Sequence, residues 1–164
     1  MRRCVERALP IVNRYVNPPV VALLDRGWSP PTYALVETVG RRSGLRRLAP
    51  VANGLDGDTF WLIAGLGEKS AFVRNLRADP KVRIKARPAR LRDGWRMEWR
   101  AGTATALPDD DADVRHRALS RGRPGYYLDG YILRALGGRR LTIRIDLDAI
   151  GNNPGPDGAA HKTP

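Results

Sequence analysis

One cysteine, Cys4, and two histidines, His116 and His161, leave this chain without the material of several common chemistries. A lone thiol can close no internal disulfide and build no cysteine-based metal site, and such sparing use of cysteine points to a reducing compartment, hence the cytoplasm. His161 sits in a Gly/Pro-rich tail without fixed ligand geometry, so neither a catalytic metal nor a Ser-His-Asp triad is expected. Long apolar runs are missing too. The run at residues 18–24 is far below the roughly 20 residues that span a bilayer. Glu6, Arg7, Pro10, Asn13 and Arg14 interrupt any secretory apolar region. Acidic residues are few beside basic ones: 17 Asp and Glu against 29 Lys and Arg give a formal net charge of +12 and a pI near 10.9. That imbalance gathers polyanions at the surface, and nucleic acid, anionic lipid or a phosphorylated cofactor would all answer it.

What is present suffices for one core. At 164 residues with 42% apolar content, four Trp and five Tyr, the chain can bury one domain's interior and is too short for two. Residues 3–26 read as helical, with a break at Pro18 and Pro19 and an end at Gly27, Pro30 and Pro31. Within them Val5, Leu9, Val12 and Val16 recur at helical spacing among arginines, a pattern that serves a core-covering helix or one lying on a membrane surface.

Strands follow. Residues 33–39 are β-formers ended by Gly40, a second extended stretch covers 47–55, and Asp56-Gly57-Asp58 reads as a hairpin turn. Residues 59–64, apolar on both faces, read as a central strand. Residues 68–78 read as a helix with Ala71, Phe72, Asn75 and Leu76 on one side, ended by Asp79-Pro80. Val82, Ile84 and Ala86 alternate with Arg83, Lys85 and Arg87, and Trp95, Met97 and Trp99 alternate with Arg96, Glu98 and Arg100, around Asp93-Gly94. Both read as strands with one wet face. Pro108 with Asp109, Asp110 and Asp111 opens a helix to about Leu119, residues 126–136 suggest another, and 141–147 alternate as a last strand. From about residue 150 the composition reads as a disordered tail. The order predicts an α+β fold: a small barrel of mainly antiparallel strands with flanking helices, rather than a parallel sheet. The expected organisation is a helical segment at 1–30, a barrel domain at 31–148 and a tail at 149–164.

Two loops have the composition for chemistry. Gly40-Arg41-Arg42-Ser43-Gly44-Leu45-Arg46-Arg47 offers two glycines, turn amides, a hydroxyl and four guanidinium groups, a set that suits phosphate. It would equally serve as a solvated hairpin whose charges protect a sheet edge. Gly65-Leu66-Gly67-Glu68-Lys69-Ser70 places glycines and a lysine at a helix start, where an anion is favoured, although its spacing is not that of a Walker loop. Its glycines would also serve simply to end a strand.

Together these loops resemble a known family. Residues 35–80, with Leu-Val-Glu-Thr-Val-Gly-Arg-Arg-Ser-Gly, then Arg47 and Pro50, then Asn75-Leu76-Arg77-Ala78-Asp79-Pro80, are similar to the deazaflavin (coenzyme F420)-dependent nitroreductases. A weaker likeness runs to about residue 107. The resemblance implies a flavin-reductase-like split β-barrel that binds reduced coenzyme F420, with the phosphate and glutamate tail in a basic groove. On it, Arg41, Arg42, Ser43, Gly44 and Arg47 match the phosphate turn, Lys69 and Asn75 flank the cofactor, and Phe72 stands where many relatives carry Trp. Pro50, Ala64, Gly65, Gly67 and Ser70 complete the expected cofactor-binding set. Tyr126, Tyr127 and Tyr131 are loose counterparts of substrate-site tyrosines and are the expected catalytic residues. The loop from Ala64 to Phe72 is shorter than in the nitroimidazole-reducing branch, and Ala64 or Gly65 stands near that branch's Ser. These departures bear on nitro reduction more than on the cofactor.

A deazaflavin carries hydride chemistry itself, so the protein need only orient and enclose it. The expected acceptor is a small conjugated quinone, enone or nitro compound, with a tyrosine or solvent supplying the proton. The resemblance also implies a homodimer that buries barrel edges. Two alternatives stay open. The same barrel could hold FMN, or the chain could be a basic nucleic-acid-binding domain, with Arg83, Lys85, Arg87, Arg90, Arg92, Arg96 and Arg100 tracking a backbone and Trp95 and Trp99 stacking bases. Strand alternation places those tryptophans opposite the arginines, which argues against the second.

Overall fold

The computed structural model describes residues 17–26, 32–87, 97–121 and 139–149. The expectations for residues 1–16, the Asp93-Gly94 turn, Trp95, the 126–136 helix with Tyr126, Tyr127 and Tyr131, and the tail lie outside the described residues.

Helix α1 (Asn17–Asp25) precedes strand β1 (Tyr33–Val39), which turns back into β2 (Arg46–Ala52). Pro18 and Pro19 sit in the first turn of α1, where the missing N–H has no intrahelical partner anyway. A two-residue β3 (Leu55–Asp56) and β4 (Thr59–Ala64) form the next hairpin, so the stretch expected over 47–55 is interrupted at Asn53-Gly54. After β4 a single 3₁₀ turn (Gly67–Lys69) leads into α2 (Ala71–Ala78), then β5 (Lys81–Ala86), β6 (Glu98–Leu107), α3 (Ala112–Ser120) and β7 (Leu141–Leu147). Helix α3 starts four residues after Pro108 because Asp111 caps it, its carboxylate accepting from the N–H groups of Asp113 (2.9 Å) and Val114 (3.0 Å).

All pairings are antiparallel, in the order β2-β1-β5-β6-β7-β4-β3. The outermost strands of that order, β2 and β3, are joined by only Asn53 and Gly54, so the sheet must curl until its two edges meet. Asn53 and Gly54 are tied in at that seam: the Asn53 N–H donates to the Thr32 carbonyl (2.8 Å) and the Trp61 N–H to that of Gly54 (3.0 Å). The result is the split β-barrel that the sequence implied. Phe60, Leu62, Ile143, Ile145, Val36 and Ile84 fill its concave side, and Val73 and Leu76 of α2 close it.

Two expectations about strand faces are corrected. Strand β4 is not central; only the short β3 lies beyond it. Its second face is apolar because Trp61 lies under the Arg115 guanidinium of α3, 4.1 Å from the ring centroid. Nor does β5 have a wet face. Lys85 is buried, and its ammonium bonds the carboxylate of Asp25 (3.0 Å) and that residue's carbonyl, locking α1 across the sheet over Leu35. The register pairs Lys85 with Trp99, so Trp99 shares a face with Arg83 and Lys85 rather than opposing them. The Arg83 guanidinium and Lys85 ammonium lie 5.1 and 5.5 Å from its centroid. Alternation was read correctly within each strand, but the relative register of the two strands was not visible. These cations are engaged inside the fold, which removes them from a nucleic-acid surface.

Candidate functional site

The β1–β2 hairpin closes through a hydrogen bond from the Gly40 N–H to the Leu45 carbonyl at 2.8 Å. Inside that closure Ser43 and Gly44 both donate to the Gly40 carbonyl, at 3.1 and 2.7 Å, and Gly44 takes φ +65°, a left-handed conformation for which glycine is the natural residue. The Leu45 N–H turns inward to the Ser43 hydroxyl (3.4 Å), and the Arg41 N–H is taken by the side-chain oxygen of Asn75 on α2 (3.3 Å). Of the turn's amides only that of Arg42 has no acceptor among the described residues. The turn's capacity for an anion therefore lies in its guanidinium groups, not in a nest of backbone amides.

Helix α2 packs against β1 and brings a second wall to this hairpin. Between them lies a cavity of about 590 Å³. Its polar and cationic lining comes from Arg41, Arg42, Ser43, Arg47, Thr38 and Asn75. Its apolar lining comes from Val21 of α1, Leu48, Ala49, Leu66, Ala71 and Phe72, with Ser70 at the entry to α2. Strand alternation separates the two arginines of β2. Arg47 pairs with Thr38 and points to the cavity side, whereas the neighbouring Arg46 points to the opposite face, where its guanidinium lies 3.8 Å from Glu37.

Ion pairing separates these arginines from seven others. Arg46, Arg77, Arg83, Arg100, Arg115, Arg140 and Arg144 each pair with a carboxylate. Arg41, Arg42 and Arg47 have no carboxylate partner among the described residues; Arg41 reaches Asn75 Oδ1 (3.4 Å) and Arg47 reaches the Ser43 hydroxyl (3.5 Å). Three unneutralised guanidinium groups on a half-apolar cavity are the donor set for a ligand with an anionic tail and a flat, poorly hydrated head.

A family model described as F420H(2)-dependent quinone reductase matches residues 14–148. The chain belongs to this family. It is an F420-dependent oxidoreductase, and coenzyme F420 is its cofactor. The donor set of the cavity fits that molecule, which carries a phosphate and an acidic tail on a deazaflavin ring. No curated protein matches the sequence at a significant level. Among solved structures, the chain is similar to the Agrobacterium tumefaciens protein Atu2129, of unknown function, at 17% identity over 72% of this chain and 49% of that one, with a TM-score of 0.51. It is also similar to an F420 reductase (20% identity, 76% and 93% covered, TM-score 0.47) and to an F420-H2-dependent reductase, FDR-A (18%, 70% and 93%, 0.47).

Of the residues singled out in the sequence of this F420-dependent reductase, Arg41, Arg42, Ser43, Arg47, Ser70, Phe72 and Asn75 line the one cavity. The others lie elsewhere. Gly44 forms the turn behind the arginines. Pro50 pairs with Leu35 on the outward side of edge strand β2, where a missing N–H is tolerated. Ala64 ends β4 in the core beside Leu141. Gly65 is buried in the turn that follows, and Lys69 is exposed at the end of the 3₁₀ turn. Gly67 (φ +50°) packs against the chain at Arg139, whose carbonyl oxygen would lie 2.1 Å from an added Cβ, so its role is close backbone approach. Sequence reasoning missed Thr38, Val21, Leu48, Ala49 and Leu66. Thr38 could have been found: it lies on the same side of β1 as Ala34 and Val36, a polar residue on an otherwise apolar core face.

Proposed function

We propose that this cavity holds reduced coenzyme F420, with the anionic tail on Arg41, Arg42, Arg47 and Ser43 and the ring towards Leu66, Ala71 and Phe72, and that the acceptor is a quinone. When bound, the deazaflavin supplies the hydride. The protein's own contribution is placement. The guanidinium groups fix the tail, the apolar wall keeps water from one side of the ring, and Phe72 supplies an aromatic edge where a larger Trp would leave less room for an acceptor. Tyr126, Tyr127 and Tyr131 remain the proposed proton donors.

The observation that carries this reading is that three guanidinium groups without a carboxylate partner among the described residues meet at one half-apolar cavity. Titrating the protein with coenzyme F420 and with FMN while following tryptophan fluorescence tests it. Binding of F420 at micromolar concentration or below, and much weaker binding of FMN, is expected; equal affinity for both would sink the assignment of the tail to the arginine turn.

A quinone acceptor has support beyond the family's name. Leu23 of α1, Val39 at the end of β1 and Leu45 in the arginine turn are exposed, Leu45 to 61%, and all three lie on the elements around the cavity. Apolar tips among arginines suit peripheral contact with an anionic membrane, where lipid-dissolved quinones reside. Sedimentation with vesicles containing anionic lipid, and not with neutral ones, is the expected result. Among the described residues no helix is long and apolar enough to cross a membrane.

A further inference from the structure

Asn75 stands out because it is a buried amide, 6% exposed, whose side chain reaches a different element at both ends. Its Oδ1 accepts from the Arg41 N–H (3.3 Å) and, at longer range, from the Arg41 guanidinium (3.4 Å). Its Nδ2 donates to the hydroxyl of Thr38, 3.2 Å away and 2% exposed. A backbone N–H can only donate, so the Arg41 contact fixes which way the amide faces, and the Thr38 hydroxyl is left to receive the amide's own proton. An unpaired buried amide would cost free energy, and every partner that satisfies this one lies on the β1–β2 hairpin, 34 to 37 residues away.

The helix that carries Asn75 also carries Ala71 and Phe72, the apolar wall of the cavity. Phe72 and Asn75 are three residues apart, about 4.5 Å along a helix axis, and on neighbouring positions of its surface. The spacing between the apolar wall and the arginine turn is thus set by one helical turn and one side-chain bridge. Without the bridge the hairpin would hang on its own closing hydrogen bonds, and the Arg41 backbone would be free to turn away from α2.

We propose that Asn75 and Thr38 are positioning residues: the Thr38–Asn75–Arg41 bridge holds the arginine turn at a fixed distance from the ring end of the cavity, so that one rigid ligand can reach both. The proposal rests on the cofactor reading above, and it assigns to Asn75 a role through the protein rather than a direct contact with the ligand. Binding of the tailed cofactor should then depend on the bridge, while binding of the ring portion alone should not.

The test is fluorescence titration of four proteins, the wild type, Thr38→Val, Asn75→Ala and the double variant, with coenzyme F420 and with its riboside, which lacks the phosphate and acidic tail. Thr38→Val keeps the side chain's shape and removes only the hydroxyl. Each single variant is expected to weaken F420 binding about tenfold, with the double variant no worse than Asn75→Ala, because both break one bridge. Riboside affinity should stay within twofold in all four, and Thr38→Ser, which restores the hydroxyl, should recover the wild-type value. A wild-type response to Thr38→Val beside a large loss in Asn75→Ala would overturn the proposal in favour of direct contact by Asn75. So would an equal loss for the riboside. Should Asn75→Ala not fold, the Thr38→Val and Thr38→Ser pair decides alone. If the wild type itself fails to bind F420, it is the cofactor reading that falls.

Discussion

Arg46 and Arg47 are adjacent, carry the same charge and are both exposed, yet the strand places them on opposite faces, so a paired replacement separates a site from a diffuse field. Arg47→Ala removes a guanidinium on the cavity side whose only side-chain partner among the described residues is the Ser43 hydroxyl at 3.5 Å. Little folding energy is at stake there. If that guanidinium bonds the cofactor's tail, its loss forfeits one charge-assisted hydrogen bond, about 1.5–3 kcal/mol, or roughly 10- to 150-fold in Kd. Arg46→Ala removes the same charge from the other face, where Glu37 already answers it at 3.8 Å. A unit charge acting through water at about 10 Å is worth about 0.4 kcal/mol before screening, and less at physiological salt, so the expected change is about twofold or smaller. The assay is fluorescence titration with coenzyme F420 at about 0.15 M salt, with thermal melting of each variant as a check on folding. Equal losses in the two variants would refute the reasoning, because they would show that the turn attracts the cofactor by net charge alone. No loss in either would remove the turn from the site.

The fold yields further expectations. Phe60→Ala, at a fully buried position in the barrel's interior, should destabilise the protein by about 3–5 kcal/mol in denaturant titration; a loss under about 1 kcal/mol would mean that the core is not packed as described. Gly67→Ala should lower the melting temperature without a specific effect on cofactor affinity, since the added Cβ meets the Arg139 carbonyl rather than the cavity. Asp110 accepts from Arg115, at 3.0 and 3.3 Å, and that bond holds its carboxyl below the usual carboxylate range. A group whose folded pKa is depressed contributes stability that is complete above the unfolded value, about 3.9, and is lost as pH falls through the folded one. Melting temperature should therefore fall on acidification below about pH 4, and less steeply in Asp110→Asn; identical slopes would exclude this pair as a cause.

The barrel was legible because its signals are local. A run of β-formers ended by Gly40 gave β1 its bounds and alternation gave those of β7, Asp56-Gly57-Asp58 gave a hairpin, and the acidic run before α3 gave its start to within a few residues. What failed was the reading of strand faces, which depends on register and on the helices packed over the sheet. The second face of β4 looked like the mark of a central strand, but it is apolar because Trp61 is covered by an arginine from a helix that begins 51 residues later. Lys85 looked wet because nothing near it in the sequence is acidic; its partner, Asp25, comes from α1 across the sheet. Registers such as Lys85 opposite Trp99 depend on the whole hairpin, and a relative shift of one residue reverses the faces.

The site was legible by composition and obscure by role for the same reason. A net charge of +12 announced an anionic partner, and the Gly-Arg-Arg-Ser-Gly turn was dense enough in donors to be singled out. Composition could not say which arginines were spare. That property is a difference between each guanidinium and its surroundings, and those surroundings are supplied by Glu37, Glu68, Asp58, Asp110, Asp113 and Asp146 after folding. Once those carboxylates have taken their partners, Arg41, Arg42 and Arg47 stand together at one cavity with their charge uncommitted. The scarcity of acidic residues is therefore part of how the site is made. Seventeen carboxyl side chains cannot neutralise 29 cations, and with several of them committed to other arginines, part of the excess is left at the cavity, where an anionic ligand can use it.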